Sequence, residues 1–436
     1  YLRNSNHDSL ARRLDTYYDA YTAYLEKKDV SLMQNLHQTF ESINERCTTM
    51  NGLLQQLENL GHTPVEHVDG LKVELFDFQR EAVGWALERE RASGGLESFL
   101  WTKVPCQCMQ VTNAGKRREP VDLYFSPILE CFKTEKPSEV RGGLIAAQMG
   151  LGKTVISLSL VLMNPAPTLP ESGSLTADMT LPVPGNQANG ESYTPSWPAI
   201  GPKPSDASTK HGKFLSRGTL VVCNVSLVGQ WVDEAKSKLK DPGLVYSYYG
   251  GNRTRNSKIL AQNAIVVTTY NILASDYFHH RGKSNDPDYC APLEGVRWWR
   301  IICDESHSIR DRNTRTFKAL GRLSAVNKWC VTGTPMNTTP NDLKGQLTFI
   351  GLDHVDKMFA MFSNNMSSVF NTSARNRRYA SGSKAIGPFL YLMRNVMIRH
   401  SIAQTGRTSN TSIMALPPKE ENVIEIEFTK EERKEY

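Results

Sequence analysis

The sequence predicts an α/β fold in which a parallel sheet carries helices on both faces. Five short runs rich in β-branched and other apolar residues recur along the chain, and an amphipathic stretch follows each of them. The runs are Gly143–Ala146, Thr219–Cys223, Ala264–Thr268, Arg300–Cys303 and Lys328–Val331. Strands that alternate with helices form parallel sheets, because each crossover helix must pack on a face of the sheet. Ligands of such sheets bind at the carboxyl ends of the strands, so the residues after each run are the functional candidates.

Composition and charge exclude some classes of protein. The 436 residues carry 51 Lys and Arg against 45 Asp and Glu, and a formal net charge of +6 decides little about charged partners. The most apolar window, Leu144–Met163, contains Gln148 and Lys153, whereas a membrane span needs about 20 unbroken apolar residues. The sequence therefore predicts no transmembrane helix and no membrane partner. Eight scattered cysteines without a C-x-x-C pair favour reduced thiols in the cytosol or nucleus.

Two segments differ from the alternating pattern. Residues 1–62 carry leucines and aromatic side chains at near-helical spacing, which predicts an N-terminal helical region. Residues 164–217 contain nine prolines among Ser, Thr, Gly and Asn. Such a composition buries too little apolar surface to offset chain entropy, so we expect a disordered surface insertion within an α/β domain over residues 63–350. Because the chain begins with Tyr1, we also expect it to be a fragment of a longer protein.

A glycine-rich turn follows the first predicted strand. Its residues are Met149, Gly150, Leu151, Gly152, Lys153 and Thr154, and a helical pattern begins after them. In a phosphate-binding loop, glycines let backbone N–H groups close around a triphosphate at a helix N-terminus. Lys153 would reach the β- and γ-phosphates, and the Thr154 hydroxyl would bind Mg²⁺. The alternative is an ordinary Gly-rich turn, which the strand before and the helix after disfavour, although Ala147 replaces the first glycine of the full pattern.

An acidic pair, Asp304 and Glu305, follows the fourth predicted strand. It should lie beside the phosphate-binding loop, because parallel strands end at the same edge of the sheet. Asp304 would hold Mg²⁺, and Glu305 would orient and deprotonate an attacking water. The alternative is that a carboxylate such as Asp304 only caps the next helix. After the fifth strand, the turn Thr332–Pro335 carries hydroxyls that would face the same crevice.

In this order, the motifs resemble those of the Swi/Snf-type ATPases, the double-stranded-DNA translocase branch of the superfamily-two helicases. The resemblance covers roughly Leu75–Tyr436. Further matching segments are the adenine-recognising glutamine motif at Phe76–Gln79, motif Ia with Ser226 and Gln230, motif Ib at Thr268–Tyr270, and the bridge into a second lobe at Met397–His400 and Leu416–Lys419. The helicase-like transcription factor subgroup is the most similar part of this family. The similarity lies in the segment before the phosphate-binding loop, Lys136–Leu144, and in the long spacer after Gln79.

The resemblance implies a RecA-like P-loop helicase lobe over residues 63–350, followed over residues 351–436 by a helical protrusion and a bridge into a missing second lobe. It implies a motor that hydrolyses ATP with Mg²⁺ and translocates on double-stranded DNA through contacts with the DNA backbone. Such motors remodel chromatin or act in DNA repair and fork remodelling. Nucleosomes or histones are implied as further partners, and the nucleus as the location.

Residue roles follow from the same resemblance. Glu305, Asp304 and Lys153 are the expected catalytic residues, and Thr154 and Asp304 the expected Mg²⁺ ligands. Gln79 and residues 149–154 are expected to bind the nucleotide. The residues expected to contact DNA or to couple DNA binding to ATP hydrolysis are Ser226, Gln230, Thr268, Thr269, His307, Thr332 and Thr334.

Three short segments depart from the family pattern. Ala147 and Gln148 stand where acidic residues are usual, Asn224-Val225 replaces Ala-Pro, and Met336–Thr338 replaces a Gln-Asn pair. Two alternatives therefore stay open: a degenerate ATPase that serves as a scaffold for docking DNA or chromatin, and an RNA helicase of the same superfamily. The intact phosphate lysine and acidic pair disfavour the scaffold, and the bridge segment disfavours the RNA helicase. Without the arginine fingers of a second lobe, we expect the fragment to bind ATP weakly and hydrolyse it poorly.

Overall fold

The computed structural model describes residues 50–58, 60–112, 115–126, 128–129, 131–167, 213–281, 290–337, 339–362, 383–406, 412–414 and 433. Contacts divide the chain into two compact units, Tyr1–Ser401 and Ile402–Tyr436, and the elements named below belong to the first. The predicted helices before residue 50, most of the Pro-rich insertion and the bridge residues Leu416–Lys419 lie outside the described residues. Among the described residues, no helix combines the length and apolar character that a membrane span requires.

The strands of the described residues form two sheets. In chain order they are β1 (Thr102–Thr112), β2 (Gly115–Ser126), β3 (Cys131–Lys133), β4 (Arg141–Ala147), β5 (Phe214–Leu215), β6 (Thr219–Cys223), β7 (Val245–Ser247), β8 (Ile265–Thr269), β9 (Val296–Asp304), β10 (Ser324–Val331) and β11 (Met397–His400).

The larger sheet is parallel throughout its registered pairs. Its strand order is β11-β4-β10-β9-β6-β8-β7, and β5 pairs with β9. The five strands predicted from the sequence are β4, β6, β8, β9 and β10, which are neighbours in the middle of this sheet. Their apolar runs match a position that is buried on both faces, since strands covered by helices have no solvent-facing side. The predicted α/β class is therefore confirmed.

Helices cover both faces of the larger sheet. They include α1 (Met50–Gln56), α2 (Asp77–Arg91), α3 (Lys153–Met163), α4 (Val228–Lys238), α5 (Ser257–Ala261), α6 (Tyr270–Arg281), α7 (Arg315–Leu320), α8 (Leu343–Ile350) and α9 (Ser383–Val396). Along β6, Leu220 and Val222 join one hydrophobic cluster, and Val221 and Cys223 join the other. Helices α2, α3 and α4 contribute to the cluster of Val221, and the remaining six helices contribute to the cluster of Leu220.

The smaller sheet was not predicted from the sequence. It is antiparallel, with β1 paired to β2 from Thr102↔Phe125 to Thr112↔Gly115, and β2 paired to β3. Pro105, Pro120 and the charged run Lys116–Arg118 interrupt any regular alternation of apolar and polar residues in β1 and β2. Cross-strand pairing, rather than a local sequence pattern, therefore defines these strands.

The predicted insertion starts and ends in ordered structure. Asn164 is buried and its carbonyl accepts a hydrogen bond of 3.0 Å from Trp299 Nε1. On the returning side, β5 pairs with β9, and Arg217 Nη2 lies 3.3 Å from the carbonyl oxygen of Ala166. Polar contacts thus hold the described residues on either side of 168–212 on the domain. The disordered insertion over residues 164–217 stays a prediction. The predicted domain boundaries at residues 62 and 350 stay predictions.

Candidate functional site

The glycine-rich turn lies between β4 and α3, at the carboxyl end of the strand. Gly150 and Gly152 adopt φ angles of +87° and +76°, a left-handed conformation that favours glycine. Lys153 is the first residue of α3, so the backbone N–H groups of the first helical turn point into the turn. This is the geometry that binds anionic groups at a helix N-terminus.

The side chain of Gln79, in helix α2, packs against this turn. Its Nε2 donates a hydrogen bond of 3.1 Å to the carbonyl oxygen of Leu151, and its Oε1 accepts one of 3.0 Å from the N–H of Phe76. A Cβ atom on Gly152 would stand only 2.5 Å from Gln79 Nε2. The side chain of Gln79 is therefore packed against the turn, and adenine recognition by Gln79 stays a prediction.

Lys153 and Glu305 meet across the edge of the sheet. Lys153 Nζ lies 3.5 Å from Glu305 Oε1, and both side chains are almost buried. The structure thus brings together two residues that are 152 positions apart in the chain (305 − 153) because β4, β10 and β9 are neighbours. A lysine that reaches phosphates and a carboxylate that activates water need this proximity.

Glu305 holds an unusual backbone conformation for a residue with a side chain. Its φ of 47° and ψ of 52° lie in the left-handed region. Such strain at a non-glycine residue costs on the order of 1–3 kcal/mol and is concentrated at functional sites. Glu305 Oε2 lies 3.2 Å from His307 Nδ1, without the alignment of a hydrogen bond. The backbone therefore directs this carboxylate towards Lys153 and His307.

Asp304 is held by two donors. Trp231 Nε1 donates a hydrogen bond of 2.7 Å to Asp304 Oδ2, and the N–H of Glu305 donates one of 2.9 Å to Oδ1. The pKa of Asp304 is raised overall, because burial outweighs the hydrogen bond from Trp231 and the charge of Lys153, which lower it. In the sequence, Trp231 belongs to the segment that resembles motif Ia, but nothing there indicated its contact with Asp304, which lies in another element.

The turn Thr332–Pro335, called the threonine turn, packs against the glycine-rich turn. A Cβ atom on Gly333 would lie 3.4 Å from the backbone nitrogen of Met149, so the turn packs against the glycine-rich loop. Thr332 is buried, and its hydroxyl accepts a hydrogen bond of 3.1 Å from the N–H of Thr334, which is exposed. These contacts place Thr332 and Thr334 beside the nucleotide motifs, and their coupling role stays a prediction.

Gln346 of α8 is a site residue that the sequence did not indicate. It accepts a hydrogen bond of 2.8 Å from the Ser306 hydroxyl and donates one of 3.1 Å to the carbonyl oxygen of Pro335. Its buried amide therefore joins the acidic motif to the threonine turn. A glutamine within an apolar helix gives no motif signal of its own.

Four of the seven residues expected to contact DNA or to couple its binding to hydrolysis divide into two groups. Ser226 lies in the 3-10 turn before α4 and Gln230 in the first turn of α4, and both are exposed where a partner can reach them. Thr268 and Thr269 are buried: the Thr268 hydroxyl donates to the carbonyl oxygen of Tyr248 at 3.0 Å, and the Thr269 hydroxyl accepts from the N–H of Ile272 at 3.1 Å. Both threonines thus support the local backbone, and their predicted contacts with DNA stay predictions.

The oxygen donors at the site fit Mg²⁺. Thr154 offers a hydroxyl and Asp304 a carboxylate, which are hard ligands of the kind that Mg²⁺ prefers. Within the described part of the chain, no cluster of three or more His, Cys, Asp or Glu side chains could hold a metal. A Mg²⁺ ion that arrives with nucleotide phosphates needs only one or two protein ligands.

The chain is similar to known proteins over most of its length. The SNF2-related domain family matches residues 78–436. The DNA repair protein RAD5B of Arabidopsis thaliana is 28% identical over 439 residues, which cover 99% of this chain and 31% of that protein. The helicase-like transcription factor of Oryctolagus cuniculus is 23% identical over 516 residues, which cover 92% of this chain and 48% of that protein.

A solved structure also resembles the chain. The Sulfolobus solfataricus SWI2/SNF2 ATPase core in complex with dsDNA superposes with a TM-score of 0.42 at 16% identity, covering 78% of this chain and 47% of that chain. This chain therefore spans about a third to a half of the length of the proteins that it matches.

Proposed function

Because the chain belongs to the SNF2-related domain family, we propose that it is the ATP-binding lobe of a motor that translocates on double-stranded DNA. The observation that carries the proposal is the 3.5 Å approach of Lys153 Nζ to Glu305 Oε1 beside the glycine-rich turn. The name of one relative, a DNA repair protein, supports a role in DNA repair, and chromatin remodelling is proposed beside it. Nuclear location and contacts with nucleosomes or histones belong to the same proposal.

The proposed chemistry uses groups that the fold already holds in place. Backbone N–H groups at the start of α3 bind the phosphates. The Lys153 ammonium group leaves Glu305 and pairs with the β- and γ-phosphates. Glu305 then accepts the proton of the attacking water. Thr154 and Asp304 would hold Mg²⁺, which would neutralise charge on the phosphates.

The two alternatives receive no support from the site. A scaffold would not require a buried lysine and a strained glutamate 3.5 Å apart, although Ala147 and Gln148 remain unusual for the family. The family matched over residues 78–436 favours a DNA motor over an RNA helicase. Two further assignments are proposed. Gln79 binds the adenine base, and Ser226 and Gln230 contact the DNA backbone.

The test is ATP hydrolysis by the full-length, two-lobed protein with and without duplex DNA. We expect Lys153→Ala and Glu305→Gln each to reduce DNA-stimulated hydrolysis at least about 10²-fold, since each removes a group that acts on the reacting atoms. Lys236→Ala and Glu74→Gln, which alter exposed residues, serve as matched controls and should retain wild-type rates.

Near-wild-type hydrolysis in either site variant would refute the proposal. Nucleotide binding by the wild-type protein without turnover on any nucleic acid would indicate the scaffold instead. Stimulation by single-stranded RNA but not by duplex DNA would indicate the RNA helicase.

A further inference from the structure

One buried side chain of helix α8 contacts two motifs of the site at once. The amide of Gln346 has no exposed surface. Its Oε1 accepts a hydrogen bond of 2.8 Å from the Ser306 hydroxyl, and its Nε2 donates one of 3.1 Å to the carbonyl oxygen of Pro335. Nε2 also donates at 3.3 Å to the carbonyl oxygen of Asp342, the N-cap of α8. A single amide therefore joins the residue after the acidic pair to the end of the threonine turn.

Helix α8 also touches the acidic motif through its backbone. A Cβ atom on Gly345 would stand 1.9 Å from the carbonyl oxygen of Ile309, so the helix backbone lies directly against the turn Ser306–Ile309. The Ser306 hydroxyl is held at the start of this turn, and the Ile309 carbonyl meets the helix at its end. Helix α8 is itself anchored in the hydrophobic core, so it fixes the turn at both ends.

Glu305 lies between two neighbours that are fixed in this way. Asp304 ends β9 and is paired with Val331 of β10, and Ser306 begins the turn that α8 holds. A left-handed conformation at a non-glycine residue, such as the φ of 47° at Glu305, persists only when the surrounding structure imposes it. The contacts of α8 therefore help to direct the Glu305 carboxylate, whose Oε1 lies 3.5 Å from Lys153 Nζ.

We propose that Gln346 is a positioning residue for ATP hydrolysis. Its bond to Ser306 holds the strained backbone that directs the Glu305 carboxylate, and its bond to Pro335 fixes the threonine turn relative to that backbone. This inference rests on the proposed hydrolysis of ATP but not on movement along DNA. Positioning of this kind affects the rate strongly, because a displacement of about 1 Å at a reacting group can cost about 100-fold.

The test separates positioning from stability in the full-length, two-lobed protein. Its variants are Gln346→Met, which removes the amide but keeps a side chain of similar length, Ser306→Ala, and the double variant. We expect each single variant to lower the kcat of DNA-stimulated ATP hydrolysis at least about 10-fold. The Kd of a fluorescent ADP analogue should stay within about 2-fold of wild type, because the phosphate-binding backbone of α3 is unchanged.

The double variant gives the decisive comparison. Each single variant leaves one buried polar group of the pair without its partner and should lower the melting temperature. The double variant removes both groups and should regain part of that loss. A positioning role predicts that the double variant nevertheless hydrolyses ATP as slowly as the single variants. Recovery of kcat together with the melting temperature would overturn the proposal, because Gln346 would then act through stability alone.

Amide hydrogen exchange provides a second readout that requires no turnover. We expect exchange over residues 304–309 and 332–337 to be at least about 5-fold faster in Gln346→Met, since both segments lose a contact with α8. In Ser306→Ala, only residues 304–309 should exchange faster, because the bond to Pro335 remains. Unchanged exchange over residues 304–309 in both variants would overturn the proposal.

Thr348→Val, on the same helix, is the matched control. The Thr348 hydroxyl donates within α8, to the carbonyl oxygen of Lys344 at 2.7 Å, so kcat and exchange should match wild type. Wild-type kcat in both Gln346→Met and Ser306→Ala would overturn this inference and leave the proposed function intact. A wild-type protein without DNA-stimulated hydrolysis would instead contradict the motor, and hydrogen exchange would still decide whether Gln346 holds the two motifs.

Discussion

At the residue scale, Glu97 shows how burial alone changes the chemistry of a carboxyl group. It has no exposed surface, and its Oε1 accepts a hydrogen bond of 2.9 Å from the N–H of Asp353. Burial raises the pKa of Glu97 from 4.5 to about 7, although the hydrogen bonds from Asp353 and Trp101 oppose the shift. Between these two values the folded chain binds more protons than the unfolded chain, so stability falls as pH rises through this range.

We therefore expect Glu97→Gln to stabilise the protein at pH 8 but not below pH 4.5. The amide can still accept from Asp353 and carries no charge to desolvate, and the gain should approach about 3 kcal/mol at 1.36 kcal/mol per pKa unit. Melting temperatures of both proteins from pH 4 to 8 would measure this, with exposed Glu74→Gln as the control. A constant difference between Glu97→Gln and wild type across that range would contradict the assignment.

The two glycines of the phosphate-binding turn are expected to differ in their tolerance of a side chain. Both have positive φ, so alanine costs roughly 1–2 kcal/mol at either position. A Cβ atom meets nothing within 4 Å at Gly150 but stands 2.5 Å from Gln79 Nε2 at Gly152. We expect Gly152→Ala to lower the free energy of unfolding about 1 kcal/mol more than Gly150→Ala. Urea denaturation without nucleotide measures the difference, and equal losses would show that Gln79 moves aside freely.

At the element scale, a buried ion pair ties α2 to β9. Glu90 accepts two hydrogen bonds from the Arg300 guanidinium, and both side chains are buried. Trp329 Nε1 and Asn164 Nδ2 also donate to Glu90, at 2.8 Å and 2.7 Å. Charges are stable in such a site only while every partner is present, so the network fixes where α2 crosses the sheet.

Removing one partner of this pair should therefore be costly. We expect Arg300→Met to destabilise the protein by about 3–5 kcal/mol, because it leaves the Glu90 carboxylate buried without a cation. The double variant Glu90→Gln/Arg300→Met should regain part of that loss, since no buried charge remains. Denaturant unfolding of the single and double variants gives both values.

The exposed pair of Arg312 and Asp356 provides the comparison. The guanidinium makes two hydrogen bonds to Asp356, yet the carboxylate is largely in solvent. Asp356→Ala should cost less than about 1 kcal/mol. A cost for Arg300→Met as small as this would show that the buried pair contributes nothing to holding α2.

At the scale of the whole molecule, the described residues on both sides of 168–212 make their own contacts with the domain. The strand β5 pairs with β9, and Arg217 donates to the carbonyl oxygen of Ala166, so both ends are tied to the domain. We expect replacement of 168–212 by a short Gly/Ser linker to change the melting temperature by less than about 2 °C, since loop-closure entropy changes slowly with length. Nucleotide affinity should also be preserved. A fall of more than about 5 °C in thermal denaturation would instead show that this segment contributes to the packed core.

The sequence by itself determined the features that depend on local order. Apolar runs predicted β4, β6, β8, β9 and β10, because a strand buried on both faces must be apolar over consecutive residues. The glycine spacing likewise indicated the phosphate-binding turn, since only glycine accepts the left-handed backbone at Gly150 and Gly152. The acidic pair was found because it directly follows the apolar run Arg300–Cys303.

Only the tertiary structure decided which residues complete the site. Trp231 and Gln346 lie in helices, and their partners Asp304 and the Ser306 hydroxyl belong to distant segments. The strands β1–β3 had no local signature, since pairing with a neighbour defines them. The motif at Met397–His400 was recognised, but not that it forms β11 beside β4. The spacing of apolar residues predicts which residues are buried. A hydrogen bond between distant segments depends instead on the order of the strands in the sheet. For this reason the motifs could be predicted from the chain, whereas the side chains that orient them could not.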